Sequence, residues 1–126
     1  MTTTATRPDN KRTLRAAEAL APHAFEASSL LKVLGHEGRL TVLTHLRDGE
    51  KTVRQLQALM AATQPVVSSH LARLRFEGIV SFRRVGKSSY YALSDDKARE
   101  VLEVLDRVFC PGLVDRADGP LTPTDS

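Results

Sequence analysis

The chain has 126 residues, with 18 Lys and Arg against 15 Asp and Glu, a hydrophobic share of 41% and a charged share of 26%. These values fit one soluble domain, or one domain with tails. No apolar run approaches a membrane span, the N-terminal stretch has no apolar signal core, and few aromatics with no Trp leave no base-stacking platform. The single cysteine excludes an internal disulfide and fits a reducing cytoplasm.

Residues 1–12 are polar, Thr-rich and contain Pro8, and are expected to form a disordered tail. Arg7, Lys11, Arg12 and Arg15 read either as solvated charges or as a basic arm touching DNA. The folded domain is expected over residues 13–110. Residues 14–34 predict a helix, in which Pro22 either starts the main part or kinks it. Leu14, Ala17, Ala21, Ala24, Phe25, Ser28 and Leu31 make one small-and-apolar stripe that needs a partner surface. Gly35 ends the helix. The next helix covers residues 37–46, with Leu40, Leu43 and Leu46 inward, and Asp48, Gly49 and Glu50 form a turn.

Residues 52–91 are the organising stretch. Val53, Leu56 and Leu59 sit at helical spacing, and Val67, Leu71 and Leu74 repeat that spacing on a second segment. Only Ala61, Ala62 and Thr63 separate the two. Thr52 and Thr63 stand at N-cap positions, and Pro65 falls in the first turn, where a missing N–H costs nothing. The second helix is read with Gln64, Ser68, Ser69, His70 and Arg73 turned outward. Gly78 closes it as a C′ glycine. Val80–Phe82 and Tyr90–Leu93 then read as strands, joined by the basic run from Arg83 to Ser88. The order helix, turn, helix, basic hairpin is that of a winged helix-turn-helix, which places one helix in the major groove and lets the hairpin reach the backbone.

Charge agrees with this layout. Within residues 64–91, Arg73, Arg75, Arg83, Arg84 and Lys87 face only Glu77, a local net of +4, whereas residues 94–126 carry four basic and eight acidic residues. A one-signed patch on a single module suits a phosphate-binding face.

The last helix is predicted over residues 95–110, capped by Ser94 or Asp95. Ala98, Val101, Leu102, Leu105, Val108 and Phe109 make one wide apolar face. Two readings stand: the face packs on its own domain, or it pairs with the first helix across a two-fold axis. The second is preferred, because both terminal helices carry more apolar surface than a small winged helix needs. Phe25, Val101, Leu102, Leu105 and Phe109 are the expected dimer-interface residues. Pro111 is read as stopping the helix, and residues 111–126 as a flexible tail. The expected fold is mainly α with a small β-hairpin: a dimeric winged helix-turn-helix of five helices and a two-stranded wing.

The runs LLKVLGHEGRLTVLTHLRDGEKTVRQL and QPVVSSHLARLRFEGIVSFRRVGKSSYYALSD closely resemble the ArsR family of dimeric bacterial repressors over roughly residues 25–110. Within it, LGHEGRL, the RRVGKSSYY wing and the terminal FC resemble the sulfide-responsive and biofilm growth-associated branch. The resemblance implies a homodimer built from the first and last helices, bound to an inverted-repeat operator in double-stranded DNA and released by an inducing signal. It places base reading on Gln64, Ser68, Ser69 and His70, with Arg73 beside them, and wing contacts on Arg83, Arg84 and Lys87. The chemistry agrees, since Gln pairs bidentately with adenine and Arg reads guanine or clamps phosphate.

Metal-sensing relatives use cysteines on the helix that starts the helix-turn-helix, or Asp/His pairs on the last helix. Here residues 52–56 hold neither Cys nor His, and no His follows Asp95, so no metal site and no cofactor are expected. No nucleophile–base pair points to an enzyme. The sulfide-responsive branch uses two cysteines. Cys110 matches one, and Thr44 stands at the other, so the dithiol switch is excluded. Cys110, partly shielded by Phe109 and Pro111 at a helix C-terminus, is expected to have ordinary or low reactivity. It reads as an inert residue, a single-thiol redox or sulfur sensor, or a bridge between subunits. Two other functions stay open beside the repressor: an architectural DNA-binding protein without an inducer, and a protein–protein module.

Overall fold

Pro22 breaks the first predicted helix. Its ring cannot sit against the carbonyl of Glu18, four residues back, and it has no N–H to donate. The structure, a computed structural model, describes residues 15–112. Helical backbone over residues 15–20 gives way to a 3-10 turn, Ala21–His23, and restarts as α1, Ala24–Leu34, which Gly35 caps. Pro22 thus sits in the turn that joins residues 15–20 to the main part of the helix. The described members of the small-and-apolar stripe, Phe25 and Leu31 among them, are exposed. The expectations for residues 1–12, including the basic arm, and for residues 113–126 lie outside the described residues. The chain divides into two units, one ending at Gly35 and one beginning at His36.

The second unit holds the rest in order: α2 (Glu37–Leu46), α3 (Val53–Met60), α4 (Gln64–Phe76), β1 (Val80–Val85), β2 (Ser88–Leu93) and α5 (Asp96–Phe109). Its core is Val42, Leu43 and Leu46 from α2, Leu56 from α3, and Val67, Leu71 and Leu74 from α4. Ile79, Val80, Leu93, Ala98 and Leu102 close it. Each fully buried leucine contributes about 1.5–3 kcal/mol. Three predicted core positions differ: Leu40 and Val53 are half-buried, and Leu59 is 51% exposed near the end of the short α3.

Local chemistry sets the helix ends. The Thr52 hydroxyl accepts from the Gln55 N–H at 3.2 Å, and the Gln55 side chain accepts from the Thr52 N–H at 2.8 Å, a reciprocal capping box. Ala61 turns the chain between α3 and α4 with a φ of 52°. Thr63 has the extended backbone of an N-cap, but its hydroxyl makes no capping bond, which corrects the reading from sequence. The end of α4 is a Schellman motif: Gly78 N–H donates to the Arg75 carbonyl and Ile79 N–H to that of Leu74, each at 2.9 Å. Gly78 takes the φ of 77° that this closure needs, and Ile79 and Leu74 are both buried.

The hairpin is longer than predicted. Arg83, Arg84, Val85 and Ser88 belong to the strands, and only Gly86 and Lys87 form the turn. Gly86 has a φ of 62°, which suits the first central residue of a two-residue hairpin turn. In this register Val80, Phe82 and Arg84 share one face with Leu93, Tyr91 and Ser89. Ser81, Arg83 and Val85 share the other with Ala92, Tyr90 and Ser88. Lys51, just before α3, pairs with Tyr91 through two backbone bonds of 3.0 and 2.8 Å.

Asp95, rather than Ser94, caps α5 by accepting from the Ala98 N–H. An Arg47–Asp106 ion pair ties α5 to the end of α2, and Arg99 donates to the carbonyls of Arg47 and Leu93. Residues 111–112 are again helical, after the break at Cys110. Among the described residues no helix is long and apolar enough to cross a membrane.

Candidate nucleic-acid interface

Each residue of α4 advances about 100° around the helix axis. Val67, Leu71 and Leu74 fix the inward direction, so Pro65, Ser69, Ala72 and Phe76 point outward, and all four are exposed. Ala72 and Phe76 escaped the reading from sequence, which sought polar side chains only. Small side chains at positions 69 and 72 let the helix approach a groove floor closely. Gln64 and Ser68 lie on one flank, where the Gln64 amide donates to the Ser68 hydroxyl at 2.8 Å. Arg73, on the other flank, is held by Glu77 at 3.0 Å.

His70 corrects the outward set. Its ring lies 4.9 Å from that of His36, centroid to centroid, and its Nε2 is 2.3 Å from the place a Cβ on Gly38 would occupy. Residues 67, 70, 71 and 74 have the i, i+3, i+4, i+7 spacing of an inward stripe, so the signal was present in the sequence. Gly38 leaves room for the ring, and His36 Nδ1 accepts from the Gly38 N–H at 3.1 Å, capping α2. His70 therefore seats α4 on α2 rather than facing outward.

Burial, then the neighbouring His36 and Arg39, hold the His70 imidazole below the ordinary value of 6.5. As pH falls, the unfolded chain takes up this proton first. The stabilisation is therefore complete above 6.5 and is lost as pH falls through the depressed folded value. Wild-type protein is expected to lose melting temperature between about pH 7.5 and 5.5 more steeply than His70→Gln. Parallel slopes in melts followed by circular dichroism would remove His70 from the linkage.

The wing stands beside α4. Arg75 of α4 lies over the Phe82 ring, 4.2 Å from its centroid, and Phe82 stacks on Tyr91 at 5.5 Å. Arg84 shares the Phe82 face, and Lys87 occupies the tip. Both are exposed and, among the described residues, make no ion pair. Arg83 differs: Glu50 grips its guanidinium through two bonds of 2.8 Å, and it leans over Tyr90. Glu50 is a residue that sequence reasoning missed. It lies 33 positions from Arg83, and no local pattern links them.

The apolar face predicted on the last helix splits in two. Leu102 is only 2% exposed and packs inward with Ala98, so it is a core residue and not an interface one. Val101 and Leu105 are half-buried, while Val104, Val108 (63% exposed) and Phe109 (75%) stay open. Val104 and Val108 belong to the outward stripe, and Val104 was missed. On α1, Phe25 is 85% exposed.

Cys110 is exposed, which corrects the expected shielding. Thr44 turns its hydroxyl to the Leu40 carbonyl at 2.9 Å. Among the described residues no group of three or more His, Cys, Asp or Glu could hold a metal ion.

Residues 36–81, from the cap of α2 into β1, match the family described as bacterial regulatory protein, arsR family. The chain is 40% identical to the biofilm growth-associated repressor of Agrobacterium fabrum over 92 residues, 73% of this chain and 79% of the relative. It is 32% identical to the transcriptional activator HlyU of Vibrio cholerae over 93 residues, 74% of this chain and 86% of the relative. The crystal structure of the transcriptional repressor BigR from Xylella fastidiosa superposes with a TM-score of 0.72 at 36% identity, covering 74% of this chain and 95% of that one. With its helix-turn-helix and two-stranded wing, the chain belongs to the ArsR family of bacterial regulators, DNA-binding proteins that control transcription and are not enzymes.

Proposed function

We propose that the chain acts in the cytoplasm as a homodimeric repressor, bound to a two-fold symmetric operator and released by a signal. The observation that carries this reading is the pairing of an open α4 face with two unpaired wing cations, Arg84 on the hairpin face that Arg75 covers and Lys87 at the tip. Ser69 leads into the groove, with Gln64 and Ser68 reading base edges from one flank and Arg73, paired with Glu77, bordering the other. The uncovered Val104, Val108 and Phe109 supply the surface for a second copy. The two copies then set their recognition helices about 34–36 Å apart, in successive major grooves.

Titration of the chain on its own upstream DNA, against the same duplex with one half-site scrambled, tests the reading. The repressor is expected to prefer the intact site strongly, and promoter output is expected to fall as it binds. Equal affinity for both duplexes would favour an architectural protein, and absence of salt-dependent binding a protein–protein module.

A release signal of the sulfur or redox kind has one thiol to act on. With a single cysteine in the chain, exposed at the end of α5, polysulfide transfers a sulfane sulfur to give a persulfide and a shorter polysulfide. Peroxide oxidises the thiol to a sulfenic acid that a second thiol, free or on another copy, converts to a disulfide with loss of water. Polysulfide or peroxide is expected to lower the operator affinity of wild type and leave Cys110→Ser unchanged, with the adduct visible by intact mass. If both proteins keep their affinity, the inducer acts elsewhere.

A further inference from the structure

The wing carries three cations, but it offers only two. Arg83 and Glu50 meet fork to fork, with Nε and Nη2 each donating to one carboxylate oxygen at 2.8 Å. That bidentate geometry is directional and holds the guanidinium in one plane. The backbone places Glu50 there. Lys51 is pinned to Tyr91 by two hydrogen bonds in an antiparallel bridge, so the residue before it falls beside Ala92, on the hairpin face that Ala92 shares with Tyr90 and Arg83. The pairing keeps the Glu50 carboxyl below its ordinary range. Both side chains remain solvent-exposed, so the pair adds little to folding. Its consequence lies in the charge that the hairpin presents.

We infer that Glu50 sets the strength of DNA binding by holding Arg83 away from the phosphate backbone, so that the wing engages DNA through Arg84 and Lys87 alone. The inference rests on the DNA-binding reading above. Phosphate contacts add affinity for every sequence, specific or not, and each one steepens the salt dependence. A carboxylate that neutralises one wing cation therefore limits both the general grip of the protein and its sensitivity to salt. In this scheme Glu50 is a positioning residue: it touches no DNA and acts through Arg83.

The test is a salt series of binding titrations on one duplex with wild type, Glu50→Gln, and the double variant Glu50→Gln/Arg83→Gln. Glu50→Gln is expected to bind about tenfold more tightly at 50 mM salt, with the slope of log K against log salt steeper by about 0.9. The gain then shrinks about 3.5-fold between 50 and 200 mM salt. The double variant, with a neutral pair in place of a neutralised one, is expected to bind like wild type in both affinity and slope. Equal or weaker binding by Glu50→Gln would overturn the inference, as would a double variant that keeps the gain. Wild type that binds DNA beside an unaltered Glu50→Gln sinks only this inference. Wild type without salt-dependent binding sinks the DNA reading and this inference together. Unchanged melting curves would show that folding is not the source of any difference.

Discussion

Leu102→Glu is expected to leave little folded protein, whereas Val108→Glu is expected to leave a folded monomer. Both leucine and valine lie on α5, six residues apart, and sequence periodicity assigns them to one apolar face. Their surroundings differ. Leu102 is sealed against the core with Ala98, while Val108 stands 63% exposed. A carboxylate at position 102 has no partner and no water, and costs about 3–5 kcal/mol, a large part of a small domain's stability of about 5–15 kcal/mol. A carboxylate at position 108 is solvated in the monomer, and its cost appears only when a second copy covers the helix. Circular dichroism melts and sedimentation separate the two effects. A folded Leu102→Glu monomer would return that residue to the interface, and a Val108→Glu dimer would move the interface off this stripe.

The elements legible in the sequence are those fixed by near neighbours. Thr52 and Gln55 lie three residues apart and close a capping box. Gly78 takes the only backbone conformation that lets Ile79 reach back to Leu74. Asp95 and Ala98 begin α5 in the same local way. These bonds form within one turn, so residue types at fixed offsets announce them. The departures come from contacts between distant segments. His70 looked polar and therefore outward, but the space left by Gly38 and the ring of His36 draw it against α2. Leu102 was merged with its outward neighbours because a helix with two apolar faces has the same composition as one with a single broad face. Arg83 counted as a free cation until Glu50, brought alongside by the Lys51–Tyr91 bridge, took its charge. The strands run past their expected ends because Arg83 and Arg84 look like loop residues, although an antiparallel register imposes no polarity limit beyond the edge of the core.

Replacing Arg84 and Lys87 together with alanine is expected to weaken binding to all duplexes by about 10- to 100-fold at low salt, and to flatten the slope of log K against log salt by about 1.8. The estimate follows from two phosphates, each contributing about 0.9 to the slope of a B-DNA complex. Both side chains are exposed and unpaired among the described residues, so their loss leaves no orphaned partner and should spare the fold. Changes on α4 are expected to differ in kind. Gln64→Ala is expected to cost about 1–3 kcal/mol of discrimination, the worth of a bidentate base contact, Ser68→Ala is expected to cost less, and both are expected to leave the salt slope nearly intact. Ser68 is also the acceptor for the Gln64 amide, so the two substitutions are expected to be less than additive. Affinity for matched and mismatched operators, each measured at four salt concentrations, resolves slope from preference. A wing variant with an unchanged slope would take the hairpin off the DNA. Loss of preference in the wing variant, with slope retained, would instead make Arg84 a reader of base edges.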